Sequence, residues 1–276
     1  MKNKPNAESL ADRMKKYEEV TTNIHLIERL PIYARIDMRA GHTWCKALDK
    51  PFDLEYSNAM KHATSYIVEK TGALIGYTQS DEASFVWLDN SKVPFETRVF
   101  KLQSILASMF TAAFMQKCFG TKLEFRMLKM LPSFDCRVCN MPSLDECTNM
   151  ILWRERDSIK NSITLLALEH FSNNDIYKKN SLDKIAMLKA KGVDYYGLDE
   201  DLRNGSYFRR ELYQKLLTID EYNAIPEPNR PALDENGNAY VTRSHVIQFK
   251  LGMPLHEIAN RKNVLFFNEK VERIND

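Results

Sequence analysis

Long apolar runs are missing from this chain of 276 residues. The richest stretch, Ile105 to Phe114, is broken by Ser108 and Thr111. A transmembrane helix needs about 20 mostly apolar residues, so no membrane span is expected. The opening MKNKPNAESLADRMKK lacks the apolar centre of a secretory leader, which points to a cytoplasmic protein. Cysteine is scarce and odd in number: Cys45, Cys118, Cys136, Cys139 and Cys147. A chain this long needs no disulfide staples, so reduced thiols are expected. Cys136 and Cys139 have the spacing of a zinc knuckle, but Phe134-Asp-Cys-Arg-Val-Cys139 reads as a strand. Residues three apart on a strand point to opposite faces, and no second Cys/His pair follows. A dominant charge is missing as well, since 39 basic and 37 acidic residues leave a net +2. That balance neither demands nor excludes a nucleic-acid partner, and local patches must decide. Repeats and low-complexity tracts are also absent.

What remains is an ordinary globular composition, 44% hydrophobic and 28% charged, sized for one large domain or a core with an appendage. Ile32-Tyr-Ala-Arg-Ile36 is β-rich, starts after Pro31 and ends at Asp37. Asp53 can cap a helix carrying Tyr56, Met60, Ala63 and Ile67 at helical spacing, with Gly72 as its stop. Ala73–Gln79 and Ala83–Leu88 read as a hairpin with Ser80, Asp81 and Glu82 at its tip. After Pro94, the residues Phe95, Val99, Leu102, Leu106, Met109 and Ala113 predict a long amphipathic helix. The strand at Phe134–Cys139 follows, and Ser143-Leu-Asp-Glu146 opens another helix running to about Phe171. Strand, helix, strand, strand, helix, strand is the split βαβ order. The fold expected is α+β, an antiparallel sheet with helices on one face and a helical C-terminal part. Residues 1–172 would form the catalytic domain, and 173–276 a helical, loop-rich region packed on it, with a breaker-rich loop from Ile225 to Asn238.

In a split βαβ sheet the first strand lies beside the hairpin, so Asp37 and Asp81 can approach each other at one end. Two carboxylates offer the hard oxygens magnesium prefers and leave positions for water and phosphate. Two ions could activate an attacking oxygen and stabilise leaving pyrophosphate. Arg98 and Lys101, three apart at a helix start, are placed to receive a triphosphate, and Lys50 adds a cation before the first core helix.

These residues fall within motifs that resemble the tRNA-His guanylyltransferase family, including its 3′–5′ polymerase relatives of bacteria and archaea. The first motif reads Arg35-Ile-Asp37-Met38-Arg39-Ala40-Gly41-His42, and the second Gln79-Ser80-Asp81-Glu82-Ala-Ser84-Phe85. Further ones are Arg98-Val-Phe-Lys101 with Ser104, Phe134-Asp135-Cys-Arg137, and Trp153-Arg154-Glu-Arg-Asp157 followed by Asn161. The resemblance implies a polymerase-like palm with two magnesium ions held by Asp37, the carbonyl of Met38 and Asp81, the two carboxylates being catalytic. It implies nucleotide contacts from Asp37, Met38, Arg39, Ala40, Gly41 and His42, and triphosphate contacts from Lys50, Ser80, Asp81, Arg98, Lys101 and Asn161. GTP and ATP would be substrates, the partner would be the 5′ end of tRNA, and the assembly a homotetramer. The family activates a tRNA 5′ end with a nucleoside triphosphate, and the 3′-hydroxyl of an incoming nucleotide then attacks it. Met38 stands where the family has Gly and Gly41 where it usually has Phe, so a different loop geometry is expected here. Ser158-Ile-Lys-Asn161-Ser162 lacks the His of the eukaryotic enzymes and resembles the bacterial and archaeal proteins, which repair 5′ ends by templated addition. The same residues also leave open a nucleotide- or RNA-binding palm with an impaired site, or another palm-fold transfer such as cyclisation.

Overall fold

The computed structural model describes residues 8–88 and 97–274; Pro94, Phe95 and residues 1–7 of the N-terminal segment lie outside them. In chain order the main elements are α1 (Leu10–Thr22), β1 (Ile32–Met38), α2 (Gly41–Cys45), α3 (Leu54–Thr71), β2 (Ile75–Gln79) and β3 (Glu82–Trp87). Then come α4 (Val99–Cys118), α5 (Leu123–Lys129), β4 (Phe134–Asn140), α6 (Leu144–His170), α7 (Asn173–Ile176), α8 (Ser181–Ala190) and α9 (Glu200–Asn204). The chain closes with β5 (Ser206–Leu216), α10 (Ile219–Ala224), β6 (Tyr240–Phe249) and α11 (Arg261–Phe267). The strands form one antiparallel sheet in the order β4-β1-β3-β2-β5-β6. Its first four strands are the split βαβ arrangement, with β1 between the hairpin and β4, as the element order implies.

Local chemistry sets the boundaries. Asp53 caps α3 by accepting from the Tyr56 backbone N–H at 3.0 Å, and Gly72 ends it with a left-handed φ of 68°. Strand alternation then divides the sheet into two apolar faces. Ile32, Ala34, Ile36 and Met38 join Ala83 and Phe85 under α3 and α4, where Phe134 meets Phe110 and Phe114 at 4.9 and 5.4 Å. Each such edge-to-face pair adds about 0.5–1.5 kcal/mol beyond burial. Tyr33, Ile75, Tyr77, Val86 and Tyr207 face the other way, beneath Ile151 and Leu152 of α6 and Leu255, Ile258 and Leu265 of the C-terminal segment. α3 and α4 therefore occupy one face as expected, and α6 with the chain's end covers the second. The far end of α6 builds a third cluster with Ile176, Leu188 and Tyr195.

The region after Asn173 is helical through α9 and then contributes β5 and β6, which extend the sheet past β2. The hydrophobic pattern signals these strands weakly because their outer halves, around Gln214 and Thr242, are exposed on both faces. Cys136 and Cys139 lie on opposite faces of β4, and all five thiols are free. Among the described residues no helix is long and apolar enough to cross a membrane.

Candidate functional site

Asp37 lies one residue from the end of β1, directly opposite Glu82 of β3 and Asp135 of β4. The hairpin between β2 and β3 is as tight as possible: Gln79 pairs with Glu82, leaving Ser80 and Asp81 as the two-residue turn. Ser80 takes a left-handed φ of 49° to make it. The Met38 N–H donates to the Asp81 carbonyl at 3.0 Å, stitching the end of β1 to the hairpin tip. Two carboxylates far apart in sequence thus share one end of the sheet.

Their environment is electrostatically tense. Burial, and then the charges of Asp81, Glu82 and Asp135, hold the Asp37 carboxyl above its ordinary range, while Arg35 pulls the other way. Burial likewise raises Asp81, against the pull of its own backbone N–H and the Ser80 hydroxyl. Crowded carboxylates with raised affinity for protons also favour a cation. Glu82 is otherwise engaged. Both its oxygens receive the Arg154 guanidinium, from Nε at 2.5 Å and Nη2 at 2.8 Å, and Arg154 also donates to Asp157 at 2.8 Å. The Trp-Arg-x-x-Asp motif of α6 is in part this clamp, which pins the helix to β3.

Gly41 fits the same picture. A Cβ there would lie 1.9 Å from Oδ2 of Asp81, so the carboxylate rests in space that only glycine leaves open. Met38 remains in strand conformation, buried and touching the Tyr56 hydroxyl through its sulfur, and the left-handed step falls at Ala40, φ 55°. The loop therefore makes no demand for glycine at position 38.

A cavity of about 700 Å³ opens beside Asp81. It brings together Gly41, His42, Lys50, Ser80, Asp81 and Asn161, six of the residues marked from sequence. Asp37 adjoins it through the Met38–Asp81 bond, and Arg39 and Ala40 are exposed in the turn, with the Arg39 N–H on the Ser133 carbonyl at 2.8 Å. Arg98 and Lys101 are not brought in. β3 leads away from the hairpin tip, so α4 starts at the opposite end of the sheet, where the Val99 N–H meets the Ile24 carbonyl at 2.8 Å. The length of β3, six residues or about 20 Å, separates them from Asp81 within one chain.

The cavity also has walls that sequence reasoning missed: Ser158 and Ser162 of α6, Asp201 of α9 and Ser206 of β5. Burial opposes ionisation of Asp201, yet Lys61 and Gln248, each 2.6 Å away, prevail and lower its pKa. Ser158 and Ser162 lie in the segment around Asn161 without a contact role of their own in the motif, and Asp201 and Ser206 fall outside every motif, so only the fold reveals their place on the cavity. Among the described residues no group of three or more His, Cys, Asp or Glu side chains is arranged to hold a metal. The donor set is the two carboxylates with backbone oxygen beside them, which suits a hard cation that keeps much of its water.

Residues 11–142 match the family model of tRNAHis guanylyltransferase. The tRNA(His) guanylyltransferase of Schizosaccharomyces pombe is 32% identical over 220 residues, covering 74% of this chain and 82% of the relative. A probable tRNA(His) guanylyltransferase of Drosophila melanogaster is 27% identical over 194 residues, 65% of this chain and 67% of that one. Among solved structures, a bacterial tRNA(His) guanylyltransferase-like protein in complex with ATP superposes with a TM-score of 0.65 at 32% identity, covering 73% of this chain and 88% of that chain. One in complex with GTP gives 0.61 at 28% identity, covering 87% and 91%.

Proposed function

The chain belongs to the tRNA(His) guanylyltransferase family, and from that membership we propose how its site adds a nucleotide to the 5′ end of tRNA. The protein is a nucleotidyltransferase. Its RNA 5′ phosphate first attacks the α-phosphorus of a nucleoside triphosphate and expels pyrophosphate. The 3′-hydroxyl of an incoming nucleotide then attacks the activated 5′ phosphorus and releases the activating nucleotide as its monophosphate. The 3′-hydroxyl proton leaves with that attack, and the RNA grows by one residue at its 5′ side.

Six marked residues, Asp81 among them, gathered on one cavity beside Asp37 carry this reading. Lys50, Ser80 and Asn161 bind and orient the triphosphate, and His42 and Gly41 border the nucleotide. Asp37, Asp81 and the Met38 carbonyl would hold magnesium, which when bound neutralises developing phosphate charge and lowers the pKa of the attacking hydroxyl. The hydrophobic wall of Phe52, Leu165 and Leu168 limits water around the bound nucleotide. A triphosphate role for Arg98 and Lys101 requires a second copy of the chain, which suits a homotetramer. We place the enzyme in the cytoplasm, and the Ser158–Ser162 segment favours templated repair over addition of G to tRNA-His alone.

The test supplies magnesium, ATP and each labelled triphosphate in turn to a 5′-phosphorylated tRNA, intact or lacking its first nucleotide. Incorporation that follows the opposing 3′-side base supports templated repair, and G alone on intact tRNA-His supports the other specificity. Asp37→Ala and Asp81→Ala are each expected to abolish incorporation while keeping the fold. Full activity in either variant overturns the assignment of the carboxylates.

A further inference from the structure

The cavity accounts for one substrate of a reaction that joins two. Asp81 faces it, but Asp37 sits on the α6 face of the sheet, and that face continues into an open surface toward β4. Its rows follow from the register: Asp135, Asp37 and Glu82 lie across three strands at the sheet end, with Arg137, Arg35 and Ser84 in the row beneath. The rows are two residues apart, about 7 Å.

Arg35 and Arg137 are direct cross-strand neighbours, an arrangement that brings like charges within roughly 5 Å at Cβ and is unfavourable by itself. Little offsets it. Among the described residues Arg35 has no carboxylate within ion-pair distance, and the Arg137–Asp135 contact is long, 3.8 Å, with both side chains more than half exposed. Beside Arg35 stands Trp153, whose ring centroid lies 5.7 Å from the Arg35 guanidinium and 4.5 Å from that of Arg154. Trp44 and Trp87 are 1% and 2% exposed, whereas Trp153, a residue of the α6 motif, is 49% exposed. A half-open indole near two guanidiniums, one strand row from the reacting carboxylate, combines a stacking platform with phosphate donors. Asn161 is eight residues further along α6, a rotation of about 80°, so one helix presents Trp153 to the open face and Asn161 to the cavity.

We propose that this open face seats the 5′-terminal nucleotide of the RNA, with its backbone phosphate on Arg35 and Arg137 and its base against Trp153. The proposal rests on the reading of the protein as an RNA 5′-end nucleotidyltransferase. It assigns the second substrate to the side of Asp37 opposite the triphosphate cavity, so that the reacting ends meet at the two carboxylates.

A 5′-phosphorylated acceptor-stem minihelix lacking its first nucleotide serves as the probe. Added without triphosphate, it is expected to quench tryptophan fluorescence, since Trp153 is the tryptophan open to it. Trp153→Leu should remove the quenching and weaken binding on the order of tenfold, and Trp153→Phe, which keeps a stacking face, should recover most of the affinity. Arg137→Gln, on an exposed edge position, should raise KM for the minihelix on the order of tenfold and leave KM for the triphosphate alone. The same variant should flatten the salt dependence of log Kd by about 0.7, one single-strand phosphate contact. Unchanged affinity and salt slope in Arg137→Gln, or quenching that persists in Trp153→Leu, overturns the proposal. Quenching that depends on Trp153 in a protein that incorporates no nucleotide would sink the reaction reading and leave the RNA seat standing.

Discussion

Replacing Gly41 with alanine separates the chemistry of this site from its stability. Gly41 is the first residue of α2 and has no left-handed φ, so the alanine backbone is allowed there. Alanine is the better helix former by up to about 1 kcal/mol, which offsets part of any local strain. The new Cβ, however, would stand 1.9 Å from Asp81 Oδ2 and 2.8 Å from its Cγ, where real contacts stop near 3.0 Å. The carboxylate must therefore retreat by 3.0 − 1.9 = 1.1 Å or rotate away. A misplacement of about 1 Å at a reacting centre costs on the order of 100-fold in rate. Single-turnover incorporation of labelled GTP into a 5′-truncated tRNA measures the rate, and thermal melting measures the fold. The expected result is a rate loss of that order with the melting temperature nearly unchanged. A variant with the wild-type rate would show that the Asp81 carboxylate does not work from the place it occupies here. Equal losses in rate and stability would show instead that the loop has collapsed.

Glu82→Gln removes the charge and one of the two acceptor oxygens of the buried clamp and leaves Arg154 ion-paired with Asp157 alone; chemical denaturation should show a loss on the order of 3 kcal/mol, and a change under about 1 kcal/mol would contradict the clamp. Glu155, buried between the Tyr207 hydroxyl (2.8 Å) and the Leu255 N–H (2.7 Å), has its pKa raised from 4.5 to about 7, chiefly by burial. Because the folded value lies above the unfolded one, its contribution is fully present below about pH 4.5 and is lost as pH rises through about 7. The gap corresponds to on the order of 3 kcal/mol across that window, so denaturation midpoints of wild type and Glu155→Gln should converge toward low pH and diverge toward pH 8. Parallel profiles for the two proteins would refute the assignment.

Much of the catalytic half was legible in the sequence because its signals are local. The Asp53 cap, the Gly72 stop, the hairpin around Ser80–Asp81 and the Ser143 cap each announce themselves within a few residues, and the split βαβ order then places Asp37 beside the hairpin. Arg98 and Lys101 show where locality fails. Their spacing and helix-start position suit a triphosphate, but which end of the sheet a helix starts from depends on the direction of every strand before it. The β5–β6 pair was hidden for a different reason, since an exposed ribbon carries no burial pattern to read. Ser206 and Asp201 reach the cavity through that ribbon and the helix before it, and so share its silence.

The clamp between Glu82 and Arg154 has a mechanical side. Trp153 and Asn161 ride on the same uninterrupted helix, eight residues or about 12 Å apart. A helix held to the sheet by neighbouring ties, Arg154 to Glu82 and Glu155 to the Tyr207 hydroxyl, acts as a gauge, setting the distance between what rests at either mark. The spacing of the two marks is therefore fixed by the helix itself, and the clamp fixes where both stand relative to Asp37 and Asp81.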